Sequence, residues 1–107
     1  QERVKEVRVS DSIKEYIVNI SNGTRNSDEI KVGLSLRGSL AMMKAAQAVA
    51  AMDGRDYVIP DDVKKIAFDV ANHRIIYKHY GVLNNEQANA KIFEKILEQV
   101  EVPKETI

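Results

Sequence analysis

The chain has 107 residues and a formal net charge of +0, with 16 basic and 16 acidic side chains and no cysteine. This length suits one domain with a single core, residues 1–107. The lack of cysteine excludes disulfide scaffolds, and the balanced charge argues against a dedicated nucleic-acid binder. No apolar run approaches the roughly 20 residues of a membrane span, and the N-terminus is too charged for a signal peptide. We expect a cytoplasmic domain and, because an initiator methionine is lacking, a fragment or processed product.

The first helix is predicted after an extended segment, residues 1–9. Ser10 is a suitable N-cap, Asp11 lies in the first turn, and apolar residues recur at helical spacing after it. Serine, asparagine and glycine at 21–23 weaken the last turns, so we expect the helix to end near residue 24. The polar residues 24–32 are predicted to form a loop.

The second helix has the clearest sequence signals. Ser35 is a good N-cap, and residues 36–52 are rich in alanine and methionine, both strong helix formers. Gly54 stands where a glycine in the left-handed conformation ends a helix. A helix over residues 36–52 is therefore predicted.

The third helix is predicted to begin at Pro60, after a short extended segment. Paired carboxylates such as Asp61 and Asp62 can indicate a metal site or acid–base chemistry. Their position in the first turn is also what the helix dipole favours, and this accounts for them fully. The helix should end near His73 and Arg74, which suit a C-terminus as cations.

A fourth helix is predicted after an irregular or extended link over residues 75–83. Asn84 with Gln87 forms a capping-box pattern, and Pro103 ends the helix. Its apolar stripe consists of Ala88, Ile92, Phe93, Ile96, Leu97 and Val100. The expected fold is all-α, a small four-helix domain with short extended connections.

Known catalytic motifs are absent from the sequence. It contains neither a Gly-x-x-x-x-Gly-Lys-Ser/Thr phosphate loop nor Gly-x-Gly-x-x-Gly. His73 and His79 are six residues apart, at a helix end and in a link, which does not suit a zinc site. We expect no metal site, and the chain alone is not expected to be an enzyme.

Arg37 lies in the first turn of the second helix, where the helix dipole disfavours a cation. A guanidinium beside free N–H groups is explained if an external anion binds there, since phosphate suits both. Ser35, Leu36, Arg37 and Gly38 are therefore a candidate phosphate-binding segment, in which Gly38 adds no obstructing side chain. The alternative is a solvated arginine on the shoulder of a helix.

Two motifs together resemble the C-terminal lid of MoxR-type AAA+ ATPases. Gly-x-Ser-x-Arg at residues 33–37 is followed by Gly-Arg-Asp-Tyr-Val-x-Pro-Asp-Asp-Val at residues 54–63. His-Arg-Ile at 73–75 and Val-Glu-Val-Pro at 100–103 extend the likeness, which runs from about Val7 to Pro103. Either long motif alone would support the resemblance only modestly, whereas both motifs at this separation are specific to this type of lid.

The resemblance implies a lid that closes over ATP bound, with Mg, to a preceding α/β nucleotide-binding domain. Arg37 matches the sensor-2 arginine, which contacts the nucleotide phosphates. The parent would be an ATP hydrolase, a ring-forming and chaperone-like remodelling motor that works with von Willebrand A-type domain proteins. We expect no nucleotide on the isolated chain, and we expect apolar surface on residues 34–52 to remain exposed for the other domain.

Three positions depart from the family pattern. Leu36 replaces the usual proline, so the start of the second helix should be less rigidly set. Gly38 replaces alanine, which should loosen the first turn by up to about 1 kcal/mol. Ile59 replaces threonine or serine and removes a helix cap worth about 1 kcal/mol.

Two other functions remain open from the sequence. Residues 57–67 also resemble the strand-and-helix step of helical DNA-binding or histone-fold-like modules, which would need a basic face. A protein-interaction bundle without any nucleotide role is the other alternative.

Overall fold

The structure is a computed structural model that describes residues 6–78 and 86–104. Over these residues the chain forms four helices and a two-stranded sheet, which confirms the all-α fold. The helices are α1 (Asp11–Asn26), α2 (Leu36–Met52), α3 (Pro60–Asn72) and α4 (Glu86–Gln99). The strands are β1 (Ile30–Val32) and β2 (Ile76–Tyr77). None of the helices in this part of the chain is long and apolar enough to cross a membrane.

Helix α1 begins as predicted, with the Ser10 Oγ accepting a hydrogen bond from the Ile13 N–H at 3.3 Å. It continues two residues past the predicted end, to Asn26. Gly23 does not break the helix, and it faces α4. A Cβ atom there would be 2.8 Å from Cγ2 of Ile96. Glycine at this position therefore permits close packing of the two helices.

The prediction of a loop over residues 24–32 was wrong for its last part, which forms β1. Ile30 pairs with Tyr77 and Val32 with Ile76 in an antiparallel ladder with an irregular register. Ile30 and Tyr77 point into the core, while the other pair is exposed. The partner strand lies more than 40 residues away in sequence, so local periodicity could not indicate this pairing.

Helix α2 has the predicted bounds, and Gly54 ends it with a φ of +79°. The Arg55 N–H donates to the Ala50 carbonyl at 2.9 Å and the Gly54 N–H to the Ala51 carbonyl at 3.0 Å. These two bonds form a Schellman motif, which fixes the direction of the chain after the helix.

The N-terminal segment packs beside the chain that leads into α3. The Arg8 N–H donates to the Asp56 carbonyl at 2.8 Å, and the Val58 N–H donates to the Arg8 carbonyl at 3.0 Å. An isolated parallel bridge thus joins Arg8 to Tyr57, whereas residues 6–7 form a turn and residues 1–5 lie outside the described residues. Pro60 opens α3 as predicted. The predicted cap at Asn84 lies outside the described residues.

One core joins all four helices, with α2 and α3 making the most extensive contact. Alanines on both helices are fully buried at this contact, which brings the two backbones close together. The largest fully buried side chains of the described residues are Tyr16, Phe93, Ile13, Ile20, Leu34, Met42 and Val63. The opposite side of α2 is not covered by the described chain: Leu36 is 73% exposed, Leu40 48% and Met52 87%. The expectation of exposed apolar side chains on α2 is confirmed.

Candidate functional site

The start of α2 is held in place by the end of α1. The Leu34 N–H donates to Thr24 Oγ1 at 2.8 Å, and the Leu34 carbonyl accepts from Arg25 Nε at 3.0 Å. The Leu34 side chain is fully buried. Two hydrogen bonds and a buried side chain therefore hold the start of α2, although Leu36 stands where the resemblance implies a proline.

The first turn of α2 is capped by Ser35, as the sequence predicted. Its Oγ accepts from the Gly38 N–H at 3.2 Å. One turn into the helix, the Ser39 Oγ lies 2.5 Å from the Ser21 Oγ, a buried hydroxyl pair that joins α2 to α1. The cap uses the third N–H of the helix, so the N–H groups of Leu36 and Arg37 are the ones that point out of its start.

Arg37 is exposed, and α2 has no acidic residue in its first turn. Within residues 6–78 and 86–104 its guanidinium forms no hydrogen bond and no ion pair. The cation is therefore free to bind an anion from outside the described chain. Charge and exposed N–H groups at the same helix end both favour such an anion.

Gly38 is buried, with its missing side chain directed inward. A Cβ atom there would meet Cγ of Leu34 at 2.8 Å and Cδ of Arg74 at 3.4 Å. Glycine at this position makes room for those two side chains, which is a different reason for glycine from the one that the sequence suggested.

Arg74 is a second exposed arginine near this helix end; the sequence places it in the His-Arg-Ile motif, as a cation at the end of α3. Its aliphatic stem lies over Gly38, and it lines an open groove of about 460 Å³ with Ala41, Asp69 and His73 among the other lining residues. Ala41 lies one turn after Arg37, on the same side of α2. The His-Arg-Ile motif directly after α3 could have marked Arg74 as a candidate. Only the packing of the helices, however, shows where this motif lies relative to α2.

The second long motif of the sequence, residues 54–63, contains an ion pair that joins the end of α2 to the start of α3. The two terminal guanidinium nitrogens of Arg55, Nη1 and Nη2, donate to the Asp62 carboxylate at 2.7 and 2.8 Å. Burial alone would raise the pKa of Asp62, but the hydrogen bonds from Arg55 and from the Ile59 N–H hold that pKa below its usual value. Asp62 thus serves more than the helix dipole, because its carboxylate also accepts from the N–H of the N-cap residue Ile59, as the N3 residue of a capping box does.

Among the described residues, no group of three histidine, aspartate or glutamate side chains gathers to hold a metal ion. His79 lies outside these residues. The start of α2, with its free guanidinium, is therefore the candidate functional site.

This fold and this helix end define a lid domain of the AAA+ class. The AAA lid domain family matches residues 22–96, well over half of the chain, and the chain belongs to that family. The crystal structure of a candidate ATPase from Cytophaga hutchinsonii has the same fold, with a TM-score of 0.78 and 30% identity over 96% of the chain. Family membership supports the lid over the DNA-binding module and the interaction bundle.

The similar proteins indicate the MoxR type among AAA+ proteins. The chain is 46% identical over 96% of its length to the uncharacterised protein YeaC of Bacillus subtilis. It is 31% identical over 89% of its length to the chaperone MoxR1 of Mycobacterium tuberculosis. A magnesium-chelatase subunit, ChlI of Cyanophora paradoxa, is 31% identical over 78% of the chain. The chain is a C-terminal lid of the MoxR AAA+ type, as the motifs predicted.

The chain spans about a third of the length of these proteins: 32% of YeaC, 27% of MoxR1 and 34% of the Cytophaga chain. The functions of these whole proteins therefore depend also on parts that lie outside the domain described here.

Proposed function

We propose that this lid closes over ATP, bound with Mg to a preceding α/β nucleotide-binding domain, and that Arg37 contacts the nucleotide phosphates as a sensor-2 residue. The single observation that carries the proposal is an exposed guanidinium that has no partner among the described residues, at the positive end of α2. The family membership of the chain supplies the context for a nucleotide.

The donor set at this helix end fits one side of a phosphate group. Arg37 offers several N–H donors in a fixed plane, and the N–H groups of Leu36 and Arg37 add two more. Arg74, which follows α3, adds positive charge beside this helix end, although Asp69 lines the same groove. Residues 35–38 contain no carboxylate, so the magnesium ion would be held by the other domain. ATP, when bound there, supplies the bond that is hydrolysed.

A charge-assisted hydrogen bond from Arg37 would contribute about 1.5–3 kcal/mol, or roughly 10- to 150-fold in nucleotide affinity. Because the arginine is on a separate domain, this bond couples the nucleotide state to the orientation of the lid. The exposed side chains of Leu36 and Leu40 flank Arg37 in sequence, and an apolar contact with the nucleotide-binding domain would cover them.

The test is made in the full-length parent protein, with Arg37→Ala and Arg37→Lys. We expect at least about tenfold weaker binding of a fluorescent ATP analogue to Arg37→Ala, with slower ATP turnover. Lys44→Ala is the matched control, because it removes an exposed cation from the same helix, two turns further on. Wild-type affinity and turnover in Arg37→Ala would discard the proposal.

The parent would act as a ring-shaped homo-oligomer, a cytoplasmic chaperone-like motor that works with von Willebrand A-type domain proteins. The likeness to MoxR1, which is named a chaperone, supports the chaperone-like part of this proposal. Mass photometry of the parent with and without ATP tests the ring, since a species that remains monomeric with ATP would exclude it.

A further inference from the structure

Two consecutive residues of α1 bind the backbone N–H and the backbone carbonyl of Leu34. Thr24 accepts from its N–H and Arg25 donates to its carbonyl, at 2.8 and 3.0 Å. The guanidinium of Arg25 is itself fixed from the other side, because its Nη1 donates to Asn22 Oδ1 at 2.8 Å. Thr24 is fully buried, and its hydroxyl donates to the Ser21 carbonyl at 2.6 Å.

Close contact between the two segments makes this arrangement possible. A Cβ atom on Gly33 would lie 2.7 Å from Cα of Arg25, so any larger residue would push the backbones apart. Leu34 is three positions before Arg37 and immediately precedes the N-cap residue. The position of the first turn of α2 therefore depends directly on the end of α1.

We propose that Arg25 is a positioning residue for Arg37, an inference that rests on the proposed function. By holding the Leu34 carbonyl, Arg25 fixes where α2 begins and so where the Arg37 guanidinium can reach. Arg25 itself does not contact the nucleotide. Small displacements of a binding group lower affinity strongly, because a charged hydrogen bond weakens steeply with distance and angle.

The experiment uses the full-length parent and two variants of this residue. Arg25→Met removes the charge and the donor, whereas Arg25→Lys keeps the charge but lacks the Nε donor in the fork geometry. We expect both to bind a fluorescent ATP analogue at least about fivefold more weakly than wild type. Lys14→Met is the control, since it removes an exposed charge from the same helix and should leave nucleotide affinity unchanged.

A double-mutant cycle with Arg37→Ala separates positioning from general damage to the fold. If Arg25 acts through Arg37, Arg25→Met should cause no further loss of affinity once Arg37 is alanine. Equal losses in both backgrounds would overturn the inference. Should Arg25→Met melt below the assay temperature, Arg25→Lys gives the same comparison with the packing of the stem retained.

The two proposals fail in different ways. A normal affinity in Arg37→Ala would remove the proposed function, and the positioning role with it. A weakened Arg37→Ala together with normal binding by both Arg25 variants would overturn only the positioning role.

Discussion

Arg55 and Asp62 form a bidentate ion pair across the turn between α2 and α3, with Nη1–Oδ2 at 2.7 Å and Nη2–Oδ1 at 2.8 Å. Only 3% of the Asp62 side chain and 19% of the Arg55 side chain are exposed. The same guanidinium donates to the Tyr57 carbonyl at 3.1 Å. One side chain thus fixes the end of α2, the extended segment and the start of α3 relative to one another.

Loss of this pair should destabilise the lid strongly. Arg55→Met would leave the buried Asp62 carboxylate without its partner, and we expect the free energy of unfolding to fall by about 3 kcal/mol. Asp53→Asn is the control, because Asp53 also contacts Arg55, at 2.9 Å, but its side chain is 53% exposed. The control should lose less than about 1 kcal/mol. Urea denaturation of the 107-residue chain measures both, and equal losses would contradict the buried role of the pair.

Asp62 should also make the stability of the lid depend on pH. Its pKa in the folded chain is lowered, because the bonds from Arg55 and Ile59 outweigh the effect of burial. A carboxyl group of this kind stabilises the fold above its unfolded pKa of about 4, and this stabilisation is lost as the pH falls through the lower folded pKa. We expect the melting temperature to decrease on acidification below about pH 5. In Asp62→Asn the decrease should be smaller, and an unchanged acid profile would refute the assignment.

The sequence predicted those parts of the fold that depend on neighbouring residues. The bounds of α2, its N-cap at Ser35 and the glycine at position 54 are local signals, and all are confirmed. Arg37 could be singled out because its charge opposes the local dipole, and its role with a nucleotide stays a prediction.

Contacts between distant segments could not be predicted in the same way. The pairing of β1 with β2 and the contact of Arg74 with Gly38 both require the helices to be packed first. The bonds from Arg25 to Leu34 and from Arg55 to Asp62 span nine and seven residues, outside the three- and four-residue spacing that helical patterns reveal.

Tyr77 should limit stability at alkaline pH. Burial raises the pKa of its phenol to about 12, from an ordinary value of 10.0. The unfolded chain therefore ionises first, so stability is retained up to about pH 10 and lost as the pH rises toward 12. Urea denaturation across this range should show a smaller loss for Tyr77→Phe than for wild type. The same alkaline loss in both proteins would show that other groups are responsible.

Gly38→Ala tests whether the packing of Leu34 against Gly38 outweighs the higher helix propensity of alanine. Helix propensity alone favours alanine by about 1 kcal/mol. The new methyl group would be 2.8 Å from Cγ of Leu34, whose side chain is fully buried. Overpacking of this kind costs about 1–3 kcal/mol, so we expect a net loss of stability in urea denaturation.

The steric origin of that loss is tested by shortening the residue that Gly38 faces. Leu34→Val alone should destabilise the lid, because it removes a buried methylene group. The combined variant Leu34→Val, Gly38→Ala should lose less unfolding free energy than the sum of the losses of the two single variants. The reason is that the smaller side chain leaves room for the new methyl group. Strict additivity would show that Leu34 does not determine the choice of glycine at position 38.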